Sequence, residues 1–328
     1  MRRRDLAVLL LGLGSPLRSA FMPATAFAQD NKARFRLAVL AGSPSTIPQF
    51  VALFDELGKF GFIEGQNLVI DRRGLARPDL QYAEVAGELV AERPDMIFCA
   101  GYAAIHAAQR ATTTIPLVAI DDDMIANQFV RSLAHPGGNI TGVSIFASEL
   151  DGKRLEILIE LVPTAHRIAL LADPNATPPP KLESLRNAAQ ARGVELSFHH
   201  ARKPEEIAPA MAGAKAAGAE ALNVLATPLF AANRKLIIDG AALAGLPAIF
   251  QWPEMADQGG LAAYGPRSTL LYRQMARQMV KIFKGTKPAD IPVEQPATFE
   301  LVINLKTAQA LGLAVPPSIL ARADEVIE

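Results

Sequence analysis

Cysteine is almost absent from this 328-residue chain: Cys99 stands alone. A lone thiol makes no internal disulfide and excludes acid–base chemistry that needs a cysteine pair. It lies in the apolar run DMIFCA, the setting of a small buried hydrophobe. Tryptophan is as scarce, with Trp252 alone, and aromatic residues make up 6% of the chain. Nor is there an excess of either charge. Thirty-three Lys and Arg balance 33 Asp and Glu, which gives no electrostatic footprint for nucleic acid. The five histidines are scattered; His199 and His200 are neighbours on a strand, point to opposite faces and do not share a metal easily. Missing too are a GxSxG elbow, a Walker loop and a GxGxxG turn, and Asp121–Asp123 lacks the spacing of a calcium loop. Nothing in the chain calls for a catalytic residue, a cofactor or a metal.

What is present is a large store of apolar residues, half of the chain, enough for a sizeable core and more than one domain. Residues 1–28 are of another kind. Arg2, Arg3 and Arg4 precede the apolar run LAVLLLGLG, and AFA ends at Ala28 as a small-x-small cleavage site. That is the pattern of an export signal cut after Ala28, with a basic start of bacterial type and the periplasm as destination; RRDL is a partial match to a twin-arginine signal. Cleavage would remove four arginines and Asp5, leaving 29 basic and 32 acidic residues, a net of −3.

From there on, short apolar runs alternate with helical patterns. FRLAVLAG (35–42), NLVIDRR (67–73), DMIFCAG (95–101) and IPLVAID (115–121) read as strands, separated by helices over 47–61, 78–94 and 103–112. Apolar strands linked by helical crossovers specify a parallel sheet covered on both faces. The pattern then restarts. HRIALLAD (166–173) matches FRLAVLAG, and helices over 179–193, 204–218 and 228–245 alternate with VELSFHH, AEALNVLAT and LPAIFQW. Each round is followed by a Gly-Gly stretch, HPGGNITGVSIF (135–146) and QGGLAAYGP (258–266). The expected architecture is α/β: two Rossmann-like open parallel-sheet lobes joined by a hinge, with glycines suited to the bending. Residues 29–145 plus about 267–290 form one lobe, and 146–266 plus about 291–328 the other. The hinge falls near 138–146, 259–266 and 290–298, and the helix over 271–285 returns to the first lobe.

In open α/β sheets, ligands bind beyond the carboxyl ends of the strands. Across a cleft between two lobes, those ends supply Ser43, Ser45, Thr46, Gly101, Tyr102, Ala103, Asp121 and Asp122 from the first lobe. From the second they supply Asn175, Thr227, Phe230, Gln251 and Trp252. Ser43, Ser45 and Thr46 precede a helix, where they cap it or join its amides in holding an anion. Tyr102 and Ala103 open another helix. Asp121 suits a ligand ammonium, or is one of a solvated acidic run; Phe230 and Trp252 wall an apolar ligand or pack at a lobe edge.

HPGGNITGVS, GGLAAYGP, KGTKPADIPVEQPATFELVINLKTAQALGL and VPPSILARADEVIE carry a further signal. Over essentially the whole exported chain they resemble the ABC-transporter substrate-binding proteins, in the group that includes tryptophan-binding TrpX-like proteins. The resemblance implies a type I periplasmic-binding-protein fold, no catalysis, an amino-acid-like or aromatic carboxylate solute as ligand, and a permease of the inner membrane as partner. Gly101-Tyr102-Ala103 departs from the family, which often has a small hydroxyl residue and proline after this glycine; that puts tryptophan itself in doubt as the ligand. Two other readings share the fold: a periplasmic sensor for a receptor kinase, and a two-lobed α/β enzyme.

Overall fold

Five runs of buried apolar residues build the first sheet. The computed structural model describes residues 35–77 and 81–328; the export signal read at 1–28 and Pro78, expected to open a helix, lie outside the described residues. β1 (Phe35–Ala41), α1 (Pro48–Lys59), β2 (Leu68–Leu75), α2 (Tyr82–Ala91), β3 (Met96–Ala100), α3 (Tyr102–Ala111), β4 (Leu117–Asp121) and β5 (Ile140–Ser144) follow in turn. The sheet is parallel throughout, in the order β2-β1-β3-β4-β5. β3 and β4 are buried almost end to end, as strands covered on both faces must be. β2, at the edge, alternates instead.

The second sheet repeats the plan with α4 (Asp151–Leu161), β6 (Arg167–Ala172), α5 (Pro179–Gln190), β7 (Glu195–His200), α6 (Pro204–Ala216) and β8 (Ala221–Val224). Next come α7 (Pro228–Ala232), α8 (Arg234–Leu243), β9 (Ala248–Phe250), α9 (Pro253–Asp257) and β10 (Ala262–Gly265). The single helix expected over 228–245 is therefore two, broken at Asn233. α10 (Ser268–Phe283) leaves this lobe, and β11 (Glu300–Asn304), α11 (Leu305–Ala310), α12 (Pro317–Leu320) and β12 (Glu325–Ile327) complete it. The order is β12-β11-β10-β9-β8-β6-β7. β11 runs antiparallel to β10, so this sheet is mixed where an all-parallel one was expected.

α10 returns to the first lobe because its apolar residues fall on one stripe. Leu271, Tyr272, Met275 and Met279 join Phe50, Leu53 and Leu57 of α1 in one buried cluster. The helix ends in a Schellman arrangement, with Gly285 at positive φ, its N–H on Ile282 and that of Thr286 on Lys281.

The chain passes between the sheets three times: after β5, after β10 and before β11. All three passages leave or enter where the strands end toward the cleft. The Gly-Gly pairs do not. Gly137–Gly138 and Gly259–Gly260 precede β5 and β10, at the far ends of those strands. They turn the chain into each strand, with Gly137 and Gly259 at positive φ. Two other glycines are required by close approach: a Cβ on Gly142 would lie 1.8 Å from the Ala119 carbonyl oxygen, and one on Gly265 would lie 2.0 Å from that of Gln251.

The passages are tied by side chains. Asp122 accepts from the N–H of Ser148, 3.1 Å away, and from its hydroxyl. Arg154, wholly buried, donates to the carbonyls of Ala147 and Tyr264 and to Asp151. Arg267, between β10 and α10, meets Asp257, Glu300 and Glu325. Glu294 bridges to Val143 and accepts from Gln274. No helix among the described residues is long and apolar enough to cross a membrane.

Candidate functional site

The cleft is bounded by the helix starts that follow β1, β3, β8 and β9. They meet closely: a Cβ on Gly101 would lie 3.7 Å from the Pro228 ring of the opposite lobe. Trp252 and Ala226 of the second lobe pack against the main core cluster of the first, and Trp252 also packs on a core of its own lobe.

Gly101 takes φ +87 to turn from β3 into α3. The N–H groups of Tyr102, Ala103 and Ala104 then open α3 with no acceptor among the described residues, the state expected of a first helical turn. Such a turn attracts an anion through its free donors and the helix dipole. At the start of α1 the N-cap is Ile47, without a side-chain bond. Ser43, Ser45 and Thr46 thus cap nothing, contrary to expectation. The Pro48 ring supplies the first-turn φ in their stead, and the amides of Ser45 and Thr46 also lack an acceptor among the described residues.

The remaining expected residues divide sharply. Asp121 is 5% exposed and accepts from Asn127 at 2.5 Å; burial pushes its carboxyl above the usual range, with the Asp122 charge adding to the effect. Asp122 is taken by Ser148, and Asp123 caps the turn at Ile125 and Ala126. Neither belongs to a solvated loop with free charges. Thr227 caps α7 by accepting from the N–H of Phe230 at 3.2 Å, and Gln251 donates to the Thr227 carbonyl. Phe230 is fully buried in the core of its own lobe, so it walls no cleft. Asn175 is exposed, with its N–H on the Asp173 carboxylate. The Tyr102 ring is half-exposed and rests on its own lobe, stacked on His106 at 5.7 Å and tilted against Phe129. Of the aromatic pair expected to flank a ligand, Trp252 alone joins the two lobes.

Comparison with known proteins decides what such a cleft belongs to. The family model described as ABC transporter substrate binding protein matches residues 39–327, nearly the whole described chain. This chain belongs to that family. Family and relatives alike are solute-binding proteins and not enzymes. A tyrosine-binding protein of Clostridioides difficile strain R20291 is 25% identical over 256 residues, 77% of this chain and 73% of its own length. A conserved domain protein of Vibrio cholerae is similar with a TM-score of 0.78 and 25% identity, over 90% of this chain and 99% of that one. An ABC domain of Streptococcus pneumoniae, solved with L-Trp, has a TM-score of 0.75 and 25% identity over 90% of this chain and 100% of that one. The fold is that of the type I periplasmic binding proteins.

This substrate-binding protein has further polar groups at the helix starts, of which Glu254, just beyond the strand LPAIFQW, is marked by the strand-end rule while Gln49 and Arg234 are not. Gln49, in the first turn of α1, is 7% exposed and donates to the Ser268 hydroxyl at 2.9 Å. Glu254, in the first turn of α9, is 6% exposed and accepts from the N–H of Thr269 at 2.9 Å. Arg234 opens α8 with its Nε on Gln258; burial lowers its pKa against the upward pull of Glu254 and Tyr272. Burial in turn pushes the Tyr272 phenol up, partly offset by the Arg234 charge. Helical periodicity ranks such polar residues as surface. No group of three or more metal-ligating side chains is found among the described residues. Cys99 is buried and its thiol pushed well up by desolvation, which leaves it inert.

Proposed function

We propose that this protein is the exported receptor of an ABC importer. It takes an amino-acid-like or aromatic carboxylate solute into the cleft between its lobes and delivers it to a permease of the inner membrane. The observation that carries this reading is the trio of unbonded amides at Tyr102, Ala103 and Ala104, next to Gly101, where the lobes come close: a Cβ there would lie 3.7 Å from Pro228. A solute carboxylate satisfies those donors and is favoured by the α3 dipole. The unbonded amides of Ser45 and Thr46 open the neighbouring helix start and add donors on the same side. Trp252, in contact with both lobes, supplies an apolar wall. The relatives named for tyrosine and solved with L-Trp support a solute of this class. The basic start, apolar run and small-residue exit of residues 1–28 support export to the periplasm.

Contact with both lobes is what turns binding into a signal. A solute held by the first lobe alone has no preference between open and closed forms; one that also meets Trp252 favours the closed form by that difference. A thermal-shift screen against amino acids, aromatic acids, nucleosides and sugars tests the reading. A specific solute at a hundred times its dissociation constant stabilises the folded state by about 2.7 kcal/mol. Stabilisation by an amino acid or aromatic acid is the expected result. Stabilisation by sugars or nucleosides alone rejects the solute class.

A further inference from the structure

Each sheet has two edges, and an edge strand presents a row of backbone N–H and C=O groups ready to pair with another chain. In the first sheet both edges are covered. Along β5, the N–H of Glu294 donates to Gly142 and its carbonyl accepts from Ser144, each at 2.9 Å. Along β2, the Leu68 N–H donates to Ile63 at 3.1 Å, and the Leu68 carbonyl accepts from Gly65 at 3.0 Å. Further on, Asp71 accepts from the N–H of Arg73, and the Arg77 side chain donates to the Arg73 carbonyl. In the second sheet, β12 is an edge of only three residues, and Arg267 holds its Glu325.

β7 is the exception. The N–H of Glu195 donates to His166 and that of Ala201 to Ala172, so Glu195, Ser197, His199 and Ala201 turn their backbone groups toward β6. Leu196, Phe198 and His200 turn theirs outward, and no group among the described residues bonds them. The strand pairs with β6 without a bulge and contains neither proline nor lysine, the usual means of blunting an edge. In its sheet β7 holds the place that β2 holds in the first, beside the opening strand of the round. One plan is thus closed in one lobe and bare in the other.

We propose that β7 is the interface of a two-fold dimer, in which the second sheet runs on from one copy of this chain into the next. The edge is complementary to itself. About a two-fold axis at Phe198, the strand lies antiparallel to its copy, Phe198 faces the partner's Phe198, and Leu196 faces the partner's His200. Residues opposite each other in an antiparallel ladder exchange both backbone bonds when they turn toward the partner, and all three outward residues fall in such pairs. Charge agrees. Glu195 opens β7, Arg202 and Lys203 follow its end, and none of the three side chains has an ion-pair partner among the described residues. The two-fold brings this acidic start to the basic end of the copy. Arg186 of α5 lies over the Phe198 ring at 4.7 Å, which keeps the ring on the face of the sheet and clear of the edge. β7 is four strands away from β10, where the chain passes between the lobes, so each copy keeps its own cleft. A six-residue strand is about 20 Å long, and an interface of that reach belongs with the weaker specific contacts.

Sedimentation equilibrium of the purified protein from about 1 μM to 1 mM tests the dimer. The mass is expected to rise from one chain to two within that range. Phe198→Pro removes the central outward N–H, and an edge strand tolerates proline where its N–H faces solvent. It is expected to weaken association at least about tenfold, with the fold checked by circular dichroism. Phe198→Cys tests the axis itself and leaves every backbone group in place. It sets a thiol opposite its own copy at a Cα separation of about 5.5 Å, within reach of a disulfide. Cys99 is buried, so the new thiol alone reacts. Under mild oxidation Phe198→Cys is expected to give a disulfide-linked dimer at a concentration where Val326→Cys, on the β12 edge, does not. The mass of a single chain over the whole range overturns the interface. A dimer that Phe198→Cys does not cross-link, or that a folded Phe198→Pro leaves at full strength, overturns it too. The receptor reading stands in either case, because the solute screen does not depend on β7.

Discussion

The guanidinium of Arg154 donates to the carbonyl of Tyr264, 3.0 Å away and 110 residues further along the chain. Its other terminal nitrogen serves Ala147 at 2.6 Å and Asp151 beside it. One buried side chain therefore holds the passage after β5 against the passage after β10. Arg154→Met leaves Asp151 buried without its counter-ion and is expected to cost about 3–5 kcal/mol. Urea unfolding measures it. Adding Asp151→Asn keeps an acceptor for the Ala226 N–H, removes the stranded charge and is expected to recover part of the loss. A single variant with an unchanged unfolding midpoint would show that the pair contributes nothing.

Glycine demand is sharply local. Gly142→Ala and Gly265→Ala place a methyl within 1.8 and 2.0 Å of backbone oxygens, which cannot rotate aside. Each is expected to lose more than about 2 kcal/mol. Gly138→Ala is the control: nothing lies within 4 Å of its Cβ and its φ is not positive, although it belongs to a Gly-Gly pair. Melting temperatures of the three variants check the order.

The plan of the molecule was legible because apolar runs repeat. Leu37–Ala41, Met96–Ala100 and Leu117–Asp121 have no room for a helix and no polar face, and HRIALLAD restarts the series after the first lobe. The return of α10 was legible from its apolar stripe. The role of the glycine pairs was not, since a pattern of breakers marks a turn without saying at which end of a strand the chain changes sheets. The antiparallel direction of β11 also escaped, because pairing direction leaves no trace in composition. At the cleft, Phe230 resembles Trp252 in sequence terms, yet one is enclosed by α7 and the core and the other joins two lobes. Gln49 escaped for the opposite reason: a buried polar residue has the same letter as an exposed one.

Trp252 is the single tryptophan, so intrinsic emission reports one place, the junction of two cores. Solute binding is expected to shift the emission and saturate with the same midpoint as the thermal stabilisation. Trp252→Ala is expected to weaken binding about tenfold or more without unfolding the protein, as circular dichroism would show. Wild-type affinity in that variant removes Trp252 from the site.

Asp121 gives a pH dependence with a fixed sign. Its folded pKa is raised by burial, so the folded state holds the proton more tightly than the unfolded chain. Stability from this residue is complete below the unfolded aspartate value and declines as pH rises to the raised folded value. Asp121→Asn is therefore expected to raise the melting temperature at pH 7, with the gain shrinking as the pH falls through that window. Thermal melts of both proteins from pH 3 to 8 measure it, and a gain that grows on acidification would contradict the assignment.

The late origin of α10 and β11 orders the birth of the molecule. The first lobe's main core counts Leu271, Tyr272, Met275, Met279 and Ile282 among its members, and the second lobe's sheet closes with β11 and β12. A growing chain that has already made β1 to β10 still has neither core finished. Contacts so distant in sequence form slowly, and a nascent chain that lacks them stays short of its folded state while most of it has left the ribosome. The interleaving of the two lobes thus makes each core wait for the segment from α10 to β12.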